Sequence, residues 1–209
     1  NKMELPSFIG KGEDIKHYTN YSVSFNPKFR IPNWVAWEIV PEELEGPAVR
    51  LNEFKKAPLV DKCPSHEDYT NSGYQRGHMC PASDNKWDYK AMEESFYMTN
   101  VCPQTGELND KKWKTLEERC QAWARLYGKV YIVCGPIIKD YSKSRVDIGP
   151  NKDIYVPNEF FKAILREKVV NNQIHYEAIG YILSQKGTWR MCTVKEIEFF
   201  VLDMDGTVY

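Results

Sequence analysis

Between Asp110 and Tyr127 the residues Trp113, Leu116, Cys120, Trp123 and Tyr127 recur three and four apart, a period that an α-helix gathers into one buried stripe. Asn109 stands where such a helix takes its N-cap, and Gly128 stands where it stops. A lone amphipathic helix needs an apolar surface to lie on, and the rest of the chain supplies strands. Tyr21 to Phe25 alternates, and Trp34 to Val40 is rich in aromatic and β-branched residues, with Asn26, Pro27 and Pro32 between them as turn signals. Lys129 to Cys134 is strand-like, and Phe160 to Arg166 with Ile174 to Leu183 reads as a hairpin turning at Asn171-Asn172. Thr193 followed by Glu196 forms a capping box that opens a short helix. Pro41 to Tyr74 is loop-like, and irregular stretches of that length tend to be functional. The expected class is α+β, a central antiparallel sheet flanked by helices, in one domain spanning residues 1–209.

Composition narrows the function. Apolar residues at 42% and charged residues at 27% fit a folded globular chain rather than a disordered one. No apolar run is long enough to span a membrane, and Asn1 to Gly10 lacks an apolar signal core, so any targeting peptide is expected to have been removed. A net charge of −1 argues against a protein that coats nucleic acid, but an enzyme that must release its product needs positive charge only along a groove. Lys55 with Lys56, and Lys111, Lys112 and Lys114, are local clusters whose ordinary role is a solvated face.

Six cysteines, Cys63, Cys80, Cys102, Cys120, Cys134 and Cys192, form an even set without a C-x-x-C pair, so zinc-ribbon spacing is absent. They read either as buried thiols or as three disulfides of an exported protein. The second reading leads to a secreted or periplasmic location, with Cys63–Cys80 the favoured pair because it would tie the long loop to the segment that follows.

That segment, Tyr74-Gln75-Arg76-Gly77-His78-Met79, precedes Asn100-Val101-Cys102-Pro103-Gln104 and then Leu108-Asn109. Taken singly, a histidine after glycine is an ordinary loop residue and an asparagine before a helix is an ordinary cap. Together they hold what phosphodiester hydrolysis needs: a base near neutral pKa, an oxygen ligand for a hard cation, and arginine to hold phosphate. Asn109 at a helix start also meets the positive dipole end that favours anions. On a regular helix Glu117 would lie about 12 Å along the axis and roughly 80° round from Asn109, in reach of a metal-bound water but not of the same inner shell.

The order and spacing of these motifs resemble the sugar-non-specific DNA/RNA endonucleases, the family of the ββα-metal superfamily known by its D-R-G-H motif. The resemblance runs from Trp34-Val35-Ala36-Trp37 through Gln75-Arg76-Gly77-His78, Asn100-Val101-Cys102-Pro103-Gln104, Leu108-Asn109, Trp113 and Leu116-Glu117 to Gly135-Pro136-Ile137, Val156-Pro157, Phe160-Phe161-Lys162 and Glu196-Ile197-Glu198. It implies a ββα-metal nuclease fold and a Mg²⁺-dependent endonuclease, with Mn²⁺ as a substitute, that cuts DNA and RNA to 5′-phosphate ends. It implies His78 as general base, Asn109 as the direct metal ligand, Glu117 as a carboxylate ordering metal waters, Arg76 and Asn100 as active-site partners and Arg50 as a phosphate-binding arginine. A homodimer is compatible with it.

One departure stands out: Gln75 occupies the place of the motif's aspartate, so the charge beside His78 differs. Three rival readings remain. An idle nucleic-acid-binding module would keep the fold without the chemistry, and a thiol enzyme would use Cys80 near His78. A phosphatase would use Asp203-Met204-Asp205-Gly206-Thr207, but that chemistry needs a following doubly wound domain. His17, His66 and His175 have no partner at ligand spacing and read as structural; Trp34 and Trp37 read as core rather than as a base-stacking platform.

Overall fold

Strands dominate the computed structural model, which describes residues 5, 14–138 and 145–200. In chain order they are β1 (Ile15–His17), β2 (Tyr21–Asn26), β3 (Ile31–Ile39), β4 (Gln75–His78), β5 (Val101–Gln104), β6 (Val130–Ile137), β7 (Asp147–Ile148), β8 (Ile154–Tyr155), β9 (Glu159–Val170), β10 (Gln173–Ser184) and β11 (Trp189–Met191). Seven of them form one sheet in the order β1-β2-β3-β6-β9-β10-β11, every neighbouring pair antiparallel. The α-helices are α1 (Tyr89–Ser95), α2 (Lys114–Tyr127) and α3 (Val194–Phe200).

The hairpin at the far side of the sheet follows from its turn. Asn171 and Asn172 carry φ of 52° and 61°, the two positive values that a two-residue turn needs to match strand twist, and asparagine tolerates them. β9 and β10 accordingly stay paired from Val170↔Gln173 down to Glu159↔Ser184. The capping box also forms as its sequence requires: Thr193 N–H donates to Glu196 Oε2 at 2.9 Å, and Glu196 N–H donates to Thr193 Oγ1 at 3.3 Å.

Alternation along the central strands sorts their side chains onto two covered faces. Val35, Trp37, Ile39, Ile132 and Ile164 point to one cluster, where they meet Trp113, Leu116, Cys120 and Ala124. Trp34, Ala36, Tyr131, Val133, Phe161, Ala163 and Leu165 point to the other, where Ile197 of α3 joins them. Burial on both sides explains why β3 and β6 read as nearly unbroken apolar runs. It also confirms both tryptophans as core.

Two expectations need correction here. All six cysteines are free thiols, so neither the Cys63–Cys80 bridge nor any other disulfide forms. Their sulfurs are packed as small apolar groups with weak polar contacts. Cys63 accepts from Ala57 N–H at 3.4 Å, Cys80 accepts from Asn85 Nδ2 at 3.5 Å, and Cys134 donates to the Met79 carbonyl at 3.5 Å.

Asn109, moreover, is not the N-cap. The helix begins at Gly106, and Thr105 caps it, its Oγ1 accepting from Leu108 N–H at 3.3 Å. Asn109 sits in the first turn, its N–H donating to the Thr105 carbonyl at 2.9 Å. Leu108–Trp113 is wound as a π-helix before α2 continues. Leu108 and Trp113, both fully buried, are five residues apart, which an i→i+5 turn stacks and an α-helical stripe does not. The Asp203-Met204-Asp205-Gly206-Thr207 motif lies outside the described residues.

Candidate active site

β4 and β5 form a separate two-stranded ribbon that pairs Gln75↔Gln104, Arg76↔Pro103, Gly77↔Cys102 and His78↔Val101, and the helix follows directly. Gly77 is required by contact: a Cβ there would lie 2.1 Å from Gln104 Oε1, because the fully buried Gln104 side chain covers it. Trp113 locks helix to ribbon, its indole N–H donating to the His78 carbonyl at 3.0 Å.

Arg50, Arg76, His78, Asn109 and Glu117 line one cleft of about 470 Å³, together with Asp110, Lys114, Glu118 and Gln121. Asn100 does not open on it. Fully buried behind His78, its side chain accepts from Cys80 N–H at 2.9 Å and donates to the Cys80 and Ser95 carbonyls at 2.8 and 2.9 Å. Its backbone carbonyl takes the Met79 N–H at 2.9 Å, so Asn100 pins the chain just after His78.

His78 lies between two rings, Phe96 edge-on at 4.9 Å and Phe54 tilted at 5.1 Å. It is 8% exposed, and its Nε2 is buried with no hydrogen-bond partner. Burial, reinforced by the positive charge of Arg50, drives its pKa down to about 3, so the imidazole is neutral near pH 7. Both arginines rest on the same rings: the Arg50 guanidinium lies 5.5 Å from the Phe96 centroid and that of Arg76 5.8 Å from Phe54. Arg76 is further braced on the His66 carbonyl by Nε at 3.0 Å and Nη2 at 2.5 Å.

Asp110, Glu117 and Glu118 bring carboxylates to the cleft lining, with Asp84 and Lys162 buried nearby. Burial pushes the Glu117 carboxyl up to about 7, an effect that Lys162 and Arg50 oppose. Lys162 is 1% exposed, with its ammonium 4.1 Å above the Trp113 ring and 5.5 Å from that of Trp37. Asp84, equally buried, is pushed up to about 6 by desolvation while it accepts from Gln121 Nε2 at 2.7 Å and Trp37 Nε1 at 3.0 Å. A lysine at the inward parity of an otherwise apolar strand was the visible signal for Lys162. Phe54 and Arg50 come from the long loop, where no periodicity marks them.

Among the described residues, no group of three or more His, Cys, Asp or Glu is placed to hold a metal ion. A hard cation that keeps most of its waters and takes few protein oxygens fits better. Asn109 Nδ2 donates to Gln75 Oε1 at 2.8 Å, which leaves the Oδ1 end of the amide for the cleft. A thiol mechanism does not fit, because burial raises the Cys80 pKa well above its ordinary value and a thiol, not a thiolate, faces the core.

Comparison with known proteins identifies the family and the fold. The profile of a family described as DNA/RNA non-specific endonuclease matches residues 1–205. Nuclease EXOG, mitochondrial, of Danio rerio is 36% identical over 167 residues, covering 75% of this chain and 48% of that protein. Endonuclease G, mitochondrial, of Homo sapiens is 34% identical over 164 residues, covering 73% and 54%. The mitochondrial nuclease of Saccharomyces cerevisiae is 38% identical over 178 residues, covering 79% and 54%. The chain thus spans about half the length of these relatives. A chain in the crystal structure of the EndoG/EndoGI complex superposes with a TM-score of 0.81 at 24% identity, covering 99% of this chain and 91% of that one, and so shares the fold. The expectation of a secreted or periplasmic protein is overturned, since these relatives are mitochondrial by name and the thiols are free. With the profile matching nearly the whole sequence, the chain belongs to the DNA/RNA non-specific endonuclease family.

Proposed function

We propose that residues 1–209 form a single domain that hydrolyses phosphodiester bonds of DNA and RNA without sequence preference, leaving 5′-phosphate ends. The observation that carries this reading is the placement of His78, its Nε2 without a hydrogen-bond partner, on a cleft shared with two arginines and Asn109. A base that accepts a proton from water must be unprotonated and must not already be engaged in a hydrogen bond.

In this reading His78 Nε2 removes a proton from the attacking water, and Phe54 and Phe96 hold the ring in place. Arg50 and Arg76 hold the scissile phosphate; contacts to phosphate carry no base information, which accounts for action on any sequence. Asn109 Oδ1 would hold Mg²⁺ directly, or Mn²⁺ in its place, and Glu117 would interact with the ion through its waters. Bound there, the ion would supply charge neutralisation at phosphorus and at the leaving 3′-oxygen. Asn100 acts from behind, by fixing the backbone that carries His78.

Incubating the protein with supercoiled plasmid and with RNA, with Mg²⁺ or with EDTA, tests the proposal. Nicking and degradation in Mg²⁺ alone, with ends that ligase joins directly, is the expected result. Binding that survives EDTA with no cleavage under any condition would point to the idle binding module instead.

A further inference from the structure

The residue that departs from the family motif links two residues of the cleft lining, Asn109 and Asp110. Gln75 Oε1 accepts from Asn109 Nδ2 at 2.8 Å, while Gln75 Nε2 donates to Asp110 Oδ2 at 2.6 Å. Each link runs one way. A carboxylate only accepts, so Asp110 admits the nitrogen end of Gln75 and not its oxygen. Gln75 is then left with an oxygen to offer, which admits only the nitrogen end of Asn109. The backbone closes the arrangement from below: a Cβ on Gly106 would lie 3.2 Å from Gln75 Nε2 and 3.3 Å from Asp110 Oδ2.

We propose that Gln75 and Asp110 are positioning residues that turn the Asn109 carboxamide so that its oxygen, and not its nitrogen, faces the metal ion. The two ends of a free asparagine amide are nearly equal in size, and half of its orientations would present N–H groups to a cation. The relay removes those orientations before the ion arrives, by passing the polarity of one carboxylate through two amides. The negative charge sits on Asp110, and Gln75 bridges it to the Asn109 amide.

This inference rests on the metal-site reading of Asn109, and its test separates the two. Mn²⁺ alone is titrated calorimetrically, without nucleic acid, into the wild type, Asn109→Ala, Gln75→Ala and the double variant Gln75→Glu/Asp110→Asn. Thermal melts confirm that each is folded. In the double variant the new carboxylate accepts from both amides, so the bonds reverse in one place while net charge and the Asn109 orientation are kept. Gln75→Ala is expected to weaken Mn²⁺ binding by about 10–100-fold, as loss of an orienting partner does. The double variant is expected to restore it. Wild-type affinity in Gln75→Ala, or a double variant as weak as Gln75→Ala, overturns the relay while the metal site stands. If Asn109→Ala binds Mn²⁺ as the wild type does, the metal-site reading itself fails, and the relay fails with it.

Discussion

Trp113 reaches 3.0 Å from its indole nitrogen to the carbonyl oxygen of His78, joining the π-helical turn to the strand that carries His78. Both residues are buried, so neither group has water as a substitute partner. Trp113→Phe leaves that carbonyl unpaired and removes the ring edge beneath Lys162. An unmet buried acceptor costs about 1–3 kcal/mol, and the expected loss on chemical denaturation is of that size. Nuclease activity per folded molecule should fall as well, because the carbonyl's orientation sets that of His78. Unchanged stability would show that the bond does not tie the two elements.

The burial of His78 predicts a specific pH dependence of stability. Its pKa is lowered from 6.5 to about 3, so between those values the unfolded chain binds a proton that the folded chain refuses. Where the unfolded state binds more protons, stability rises with pH; falling pH therefore removes stability from about 6.5 downward. Glu117 and Asp84, raised to about 7 and about 6, act with the opposite sign. The difference between wild type and His78→Gln isolates the histidine, with a slope of at most about 1.4 kcal/mol per pH unit. Parallel curves across this window would refute the assignment.

His78→Gln should also abolish cleavage while leaving the protein folded, since loss of a general base typically costs about 10²–10⁴-fold. Initial rates on plasmid and RNA measure it. A variant that keeps half of the wild-type rate cannot have lost the base.

Asn109→Ala should fail through metal handling, and Asn109→Asp is the sharper probe. An added carboxylate should hold or tighten Mg²⁺ but lower the positive charge available at phosphorus, so metal affinity holds or rises while the maximal rate falls. Glu117→Gln should be milder, about 10–100-fold. Rate against Mg²⁺ concentration distinguishes the three; an unchanged metal dependence in Asn109→Ala would place the ion elsewhere.

Gly77→Ala places a Cβ 2.1 Å from Gln104 Oε1, far inside contact, and the Gln104 side chain is fully buried with nowhere to swing. Overpacking of this kind costs about 1–3 kcal/mol. A drop in melting temperature is expected, with activity lost beyond the loss of folded protein because His78 is the next residue. A melt matching the wild type would mean that Gln104 moves freely.

The parts of this molecule that were legible in the sequence are those set by neighbours along the chain. The hairpin followed from two adjacent asparagines, the α3 start from Thr193 and Glu196, and the α2 stripe from its period. The order of short motifs brought His78, Arg76, Asn109, Glu117 and Arg50 to one cleft. Long-range features were not legible. Six cysteines in even number look the same whether bridged or buried apart, and only packing distinguishes the two. Thr105 was passed over as cap because Gly106 and the five-residue step from Leu108 to Trp113 break the α-helical period. Phe54 depends on a loop whose path has no periodic signature, and Gln75 was seen as a missing charge rather than as a bridge to Asp110.

The π-helical step at Leu108–Trp113 has a consequence for how this site can be lost. Such a step is what one inserted residue leaves in an α-helix, so eight residues turn through about the angle of seven. Asn109 and Glu117 then sit within roughly 20° of each other instead of roughly 80° apart, and both border the same cleft. The alignment is therefore stored as a single extra residue. Deleting one residue from this stretch would let the helix wind regularly and swing Asn109 off the cleft, which on the proposed reading would cost the protein its metal ligand. The same step buries Leu108 and Trp113 on one side of the helix, so the packing of this element and the proposed site hang on one residue of extra length.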